Sequence, residues 1–172
     1  RARAVERPVG PGRSRANSPR KLEGGRGEGP EVVALAGRVC LAKDFVVSRL
    51  TGVLATDPSD ASSTNAFDQR RGTWSEELFA AADLPLALFP EVVSSTTVVG
   101  SVTTAAAEAT GLAVGTPVVM GGGDGPMSAV GAGVVSEAAG AYGYLGSSSW
   151  VSIRAGPPLL DLPALPTRTF NP

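Results

Sequence analysis

The run Gly121-Gly122-Gly123-Asp124-Gly125 stands directly behind the apolar stretch Thr116-Pro117-Val118-Val119-Met120. A short apolar run of this kind reads as a buried strand. Three consecutive glycines then let the backbone turn sharply and approach another group with no Cβ in the way. Pro126 suits the first position of a helix, which the pattern carries from Met127 to about Val134. Ala129, Gly131, Ala132 and Gly133 make that helix small-sided, able to pack close to another backbone. The chain is therefore committed to strand, glycine turn and helix at this point. Asp124 falls at the start of the helix, where the helix dipole and free N–H groups favour an ionised carboxylate. Two readings stay open for it: a helix-capping aspartate in a tight turn, or a carboxylate at the lip of a strand acting as a general base or metal partner. Pro126 occupies the third glycine position of a GxGxxG fingerprint, so that motif is absent, and no Walker P-loop occurs.

The flanking sequence alternates helices and strands. Val39 to Leu50 has apolar residues at Leu41, Phe45, Val46 and Leu50 and charges at Lys43, Asp44 and Arg49, a helical spacing with Gly52 as stop signal. Thr56 to Asn65 reads as a polar loop. Thr73-Trp74-Ser75-Glu76 matches a capping box opening a helix through Ala82. Pro85 and Pro90 punctuate the next stretch. Val98 to Val102 reads as a strand, and Thr103 or Thr104 caps a small helix that Gly111 ends. Ala141 to Leu145 and Trp150 to Ile153 read as two strands joined by Gly146-Ser147-Ser148-Ser149. That tip gathers backbone amides and hydroxyls in a concavity suited to phosphate; a solvated hairpin tip is the other reading. Such alternation argues an α/β fold.

Composition removes several chemistries. The chain has no histidine, so Ser-His-Asp and Cys-His nucleophile pairs, histidine zinc sites and histidine acid–base catalysis are excluded. Its one cysteine, Cys40, rules out an internal disulfide and a cysteine zinc cage. Carboxylates, hydroxyls, lysine, arginine and backbone amides remain. The charge is uneven: residues 1–30 hold eight basic and three acidic residues with six glycines and four prolines, and no Phe, Tyr, Trp, Ile or Met. Such a segment buries too little apolar surface to offset its ordering entropy and reads as a disordered leader. It could attract nucleic acid, or act as a transit peptide, against which Glu6, Glu23 and Glu28 argue; the third reading is a leader irrelevant to the fold. No membrane span is expected, because no run of about 18 apolar residues occurs.

Five segments in order resemble the FGGY carbohydrate kinases, in particular the xylulokinase-like members. LAKDFVVSRLTG resembles the helix ending in the family's LTG. ATDPSDASSTNAFDQRRGTWSEEL resembles its TD-x-SDAS, FD and W-S-x-E-L segments. GLAVGTPVVMGGGDGPMSAVGAGVV resembles its G-L-x-x-G-T-P-V-x-x-G-G-G-D segment. YLGSSSWVSI resembles its second phosphate hairpin, and RTFNP a family tail. The resemblance covers residues 38–172 and implies an α/β, actin-like (ribonuclease H-like) fold with ATP in the cleft between two lobes. It implies three regions: a leader over 1–30, the later part of the N-terminal lobe over 31–135, and the start of the C-terminal lobe over 136–172.

By the same resemblance Asp124 is the catalytic aspartate, taking a proton from a sugar hydroxyl, and Gly125 lies beside the sugar. Gly146, Ser147 and Ser148 border the ATP phosphates. The Asp57–Ser62 segment is a family marker that stabilises a turn. Where Ser147 stands the family often has Thr, which keeps the hydroxyl; where Gly125 stands it often has a polar residue, which leaves the sugar open between a xylulose-like ketose and a polyol. The family's first phosphate hairpin, with its magnesium-associated aspartate, has no counterpart here, nor have the N-terminal sugar-binding segments or the adenine-binding part. The Mg2+ site is thus expected mostly outside this chain, with no metal ligand assigned within it. The expectation is a cytoplasmic, ATP-dependent sugar kinase by ancestry, inactive as this fragment, with a homodimer admitted for the full-length enzyme and neither nucleic acid nor membrane as partner. A non-catalytic sugar- or protein-binding remnant of the fold is the alternative.

Overall fold

A computed structural model describes residues 37–146, 149–154 and 156. The expected leader over 1–30, the RTFNP tail, and Ser147 and Ser148 lie outside the described residues.

Helix α1 spans Ala42–Thr51. Its start is fixed by Asp44, whose carboxylate accepts the Leu41 backbone N–H at 3.1 Å. Its end is fixed by Gly52, at φ 79°, whose N–H donates to the Ser48 carbonyl. Strand β1, Ala55–Thr56, is buried at both residues. Helix α2 follows at Pro58–Ser63, then the antiparallel pair β2, Phe67–Asp68, and β3, Thr73–Trp74. Helix α3 is Glu76–Ala81, and a 3-10 turn at Leu86–Leu88 leads into strand β4, Glu91–Val92. Strand β4 pairs parallel with β1, Ala55 opposite Glu91 and Thr56 opposite Val92. Parallel neighbours need a long crossover, and the segment from α2 to the 3-10 turn supplies it.

Strand β5, Val98–Ser101, pairs antiparallel with β6, Pro117–Val119, with a register shift between Val98 and Gly100. Between them lies α4, Thr104–Thr110, where the Thr103 hydroxyl accepts the Ala106 N–H and Gly111 closes the helix at φ 77°. Helix α5 is Asp124–Gly131. After a 3-10 turn at Glu137–Ala139, β7, Ala141–Leu145, and β8, Ser149–Ile153, form a hairpin with Ala141 opposite Ile153 and Leu145 opposite Ser149.

Two hydrophobic cores form among these elements. The first packs Ala61, Ala66, Phe67, Trp74, Phe79, Leu84 and Phe89 within the crossover. Its rings meet edge to face: Trp74 lies 5.4 Å from Phe89 and Phe79 4.6 Å from Phe89, centroid to centroid. The indole N–H of Trp74 donates to the Pro90 carbonyl at 2.8 Å, so its polar end is satisfied in the interior. The second core joins Val47 of α1, Ala55 of β1 and Met120 just past β6, with Val93, Val99 and Val118 against them. It anchors the end of β6, and so the glycine run that leaves it.

Several sequence expectations are corrected. The expected polar loop over Thr56–Asn65 contains α2: Asp57 caps it, accepting N–H groups of Ser59 and Asp60, and Pro58 is its first residue. Asp, Ser and Thr read as loop formers because their side chains compete for backbone hydrogen bonds, and here that competition starts a helix. The capping residue of α3 is Ser75, not Thr73, since Thr73 and Trp74 are committed to β3. Strand β6 is buried on one side only: Met120 and half-buried Val118 face the core while Pro117 and Val119 are exposed. Helix α5 begins three residues before Met127, with Pro126 third, still in the first turn, where a missing N–H breaks no intrahelical bond. Gly131 and Gly133 face open space, so no close backbone packing occurs at those two positions.

Candidate functional site

Asp124 is the first residue of α5, behind Gly123 at the cap. The capping-aspartate reading is therefore displaced by one residue: no side chain caps this helix. The Asp124 side chain is exposed, and its Oδ1 accepts the Gly125 N–H at 2.8 Å. The Ser128 hydroxyl donates to the Asp124 carbonyl at 2.7 Å. No ion pair engages the Asp124 carboxylate among the described residues, and a Cβ placed on Gly125 would meet nothing within 4 Å. The arrangement is an accessible acceptor oxygen beside an unobstructed patch of backbone. It can take a proton from a hydroxyl brought against it.

The loop that carries Asp124 is braced from two sides, α2 and the link between β4 and β5. Gly121, at φ 71°, donates its N–H to the Ser95 carbonyl at 2.9 Å. Gly123 donates its N–H to Ser59 Oγ at 2.8 Å. The Ser59 hydroxyl in turn donates to Asp57 Oδ2, which also accepts the Ser59 N–H at 2.9 Å and the Ser95 hydroxyl at 3.1 Å. Asp57 thus ties α2, the Ser95 link between β4 and β5, and the glycine run together. Gly123 sits so close to α2 that a Cβ there would come within 2.9 Å of Asp60 Oδ1.

Beneath the loop lies a charge cluster. Lys43 Nζ is 2.9 Å from Asp44 Oδ1, 3.2 Å from Asp57 Oδ1 and 3.4 Å from Asp60 Oδ2. The Asp44 and Asp57 side chains are fully buried, that of Asp60 is 17% exposed and that of Lys43 20%. Burial alone pulls the Lys43 ammonium down, but the hydrogen bond and charge of Asp44, with Asp57 behind them, outweigh it and hold its pKa above the ordinary value. Asp60 is pushed up, chiefly by burial, with Asp57 and Asp44 adding to the rise against the opposing pull of Lys43. Sequence reasoning assigned Lys43, Asp57, Ser59, Asp60 and Ser95 no site role. A usable signal was present in part: Asp followed by Pro is a helix start, and that start places Asp57 and Ser59 in one capping turn.

These carboxylates do not make a magnesium site. Among the described residues no group of three or more His, Cys, Asp or Glu could hold a metal ion. Asp44, Asp57 and Asp60 converge instead on the ammonium of Lys43, which occupies the space and charge a cation would take.

Of the sequence-predicted site residues, Asp124 and Gly125 are joined by a hydrogen bond. Gly146 closes β7 on a separate hairpin, exposed at its tip. A Cβ on Gly146 would collide with the ring of Tyr144, which stacks on Trp150 at 5.2 Å, so the glycine makes room for that ring. Ser147 and Ser148 lie outside the described residues.

Residues 9–131 match the model of the N-terminal domain of the FGGY family of carbohydrate kinases. The chain belongs to this family. It is 38% identical over 144 residues to an autoinducer-2 kinase of Yersinia pestis (strain Pestoides F), an alignment covering 83% of this chain and 26% of that protein. It superposes on the xylulose kinase of Rhodospirillum rubrum with a TM-score of 0.73 at 30% identity, covering 78% of this chain and 28% of that one. The xylulose kinase of Bifidobacterium adolescentis gives a TM-score of 0.77 at 22% identity, with 92% and 36% covered, a likeness of fold. The chain spans about a quarter of the length of the curated relatives it matches. The mixed α/β architecture is thus a piece of the actin-like fold of FGGY kinases, as the resemblance implied. The match begins at residue 9, inside the basic segment. No helix among the described residues is long and apolar enough to cross a membrane.

Proposed function

We propose that this FGGY chain carries the proton-accepting part of an ATP-dependent carbohydrate kinase. Asp124 takes the proton from a sugar hydroxyl as that oxygen attacks the γ-phosphorus of ATP. A new P–O bond forms to the sugar, the bond between the γ-phosphorus and the bridging oxygen breaks, and ADP leaves with the electron pair. Such transfer needs positioning and charge neutralisation more than covalent help. A carboxylate base serves without histidine, in keeping with the composition. The observation that carries this reading is the accessible Asp124 carboxylate beside the open Gly125 backbone, on a loop braced against α2.

ATP and Mg2+ are the cosubstrate pair on this reading, and the metal is held outside the described residues. Gly146, with Ser147 and Ser148, borders the ATP phosphates. The substrate is a small polyhydroxylated molecule, a xylulose-like ketose or a polyol, and the enzyme works in the cytoplasm, where ATP is supplied. This chain by itself is inactive, because phosphoryl transfer requires groups from the whole clasp around ATP.

The test is Asp124→Asn in a full-length enzyme carrying this segment, assayed on D-xylulose, autoinducer-2 and glycerol. Turnover on the accepted substrate is expected to fall by about 10²–10⁴-fold, with ATP binding little changed. Near-normal turnover would return Asp124 to the role of a turn residue.

A further inference from the structure

We propose that Ser59 is a positioning residue for Asp124, acting through the Gly123 peptide with Asp57 as its anchor. The inference rests on the reading of Asp124 as proton acceptor and adds the device that holds it in place.

Gly123 immediately precedes Asp124, and its N–H is bound by a side chain of another element, 64 residues away. The acceptor is Ser59 Oγ, on a residue 1% exposed. A hydroxyl can accept from Gly123 while donating elsewhere, and Ser59 donates to Asp57 Oδ2. Giving its proton to a carboxylate makes the serine oxygen a better acceptor toward Gly123, because successive hydrogen bonds polarise one another. Asp57 is itself fixed by Lys43 on α1 and by the Ser95 hydroxyl. The peptide in front of Asp124 is thus held by a relay from α1, α2 and the β4–β5 link.

The glycines are needed for this closeness. A Cβ on Gly122 would come within 3.1 Å of Ser59 Oγ, and one on Gly123 within 2.9 Å of Asp60 Oδ1 on the same helix. Backbone that approaches a buried hydroxyl so nearly has little freedom to slide, while Gly125, one residue beyond Asp124, is unobstructed. The constraint ends where the substrate is expected to arrive. Displacing a catalytic group by about 1 Å can lower a rate about 10²-fold, so a lost brace reads out in turnover.

The experiment uses a full-length enzyme carrying this segment, with Ser59→Ala, Ser59→Thr and Asp124→Asn made in parallel. Steady-state kinetics is combined with hydrogen exchange of a peptide covering residues 118–127. Ser59→Ala is expected to lower kcat about 10- to 100-fold, to leave the KM for ATP within about twofold, and to speed exchange in that peptide. Ser59→Thr, which restores the hydroxyl, is expected to recover most of the kcat. Unchanged kcat and exchange in Ser59→Ala, or a threonine variant no better than alanine, would overturn the inference. Should Ser59→Ala fail to fold, Ser59→Cys, near in size but a weak acceptor, takes its place under the same criteria. Full activity of Asp124→Asn would sink the proton-acceptor reading, and the exchange data would still report separately whether Ser59 holds the loop.

Discussion

Lys43 Nζ stands 3.2 Å from Asp57 Oδ1, joining the first turn of α1 to the cap of α2 through a carboxylate with no exposed surface. Asp44 and Asp60 share the same ammonium. One cation therefore serves three anions, two of them fully buried, and its removal leaves the interior with uncompensated negative charge. Lys43→Met is expected to destabilise the fold by about 3–5 kcal/mol, the range for breaking a buried pair from one side. Urea denaturation followed by tryptophan fluorescence measures it. A loss below about 1 kcal/mol, the level of a surface ion pair, would show that solvent reaching Lys43 screens the cluster.

The same cluster sets two pH dependences of opposite origin. The folded pKa of Lys43 is raised above 10.5, so its contribution is fully present below that pH and is lost as pH rises through the higher folded value. The folded pKa of Asp60 is raised above 3.8, so the native state holds that proton more tightly than the unfolded chain. Stability therefore declines as pH rises from 3.8 through the higher folded value. Asp60→Asn should abolish that acid-side decline and leave the alkaline one in place. Equilibrium unfolding across pH separates the two limbs, and parallel curves for the parent and Asp60→Asn on the acid side would contradict the assignment.

Gly123→Ala offers a local test of crowding. The backbone at Gly123 has φ −61°, which any residue accepts, so the penalty comes from Asp60 Oδ1, 2.9 Å from the added carbon. Combining it with Asp60→Ala should recover part of the loss, with a coupling of about 0.5–3 kcal/mol in a double-mutant cycle. Strictly additive effects would mean that the carboxylate swings aside without strain.

In the aromatic core, Phe79→Ala is expected to lower stability by about 3–5 kcal/mol, since its ring packs against both Trp74 and Phe89. Trp74→Phe should lower it by about 1–3 kcal/mol, in part because the buried Pro90 carbonyl loses its donor. Chemical denaturation of both variants gives the comparison. A milder effect for Phe79→Ala than for Trp74→Phe would place the larger contribution in the hydrogen bond.

The sequence made legible those features that depend on neighbours along the chain. The Thr103 cap, the Gly52 and Gly111 stops, β5 and the β7–β8 hairpin come from local pattern, and the structure places them within a residue or so of expectation. The strand–glycine–helix unit around Asp124 was legible for the same reason, three glycines in a row having few uses. Helix α2 was missed because its Asp, Ser and Thr residues suit a loop as well as a capped helix, and only Pro58 favoured the latter. The brace was missed for a different reason. Ser59 and Gly123 are 64 residues apart, and Asp57 and Ser95 are 38 apart. No periodicity links such positions, because the parallel β1–β4 pairing and the return through β5 and β6 bring them together.

The 64-residue span of the Ser59–Gly123 bond also sets an order of assembly. The rings of the aromatic core lie between Phe67 and Phe89, close in sequence, and all leave the ribosome before the glycine run does. Closing the longer loop carries the larger entropy penalty and waits until both its ends exist. The nascent chain thus acquires its aromatic core first and the Asp124 loop afterwards, when Gly123 docks onto a surface already formed.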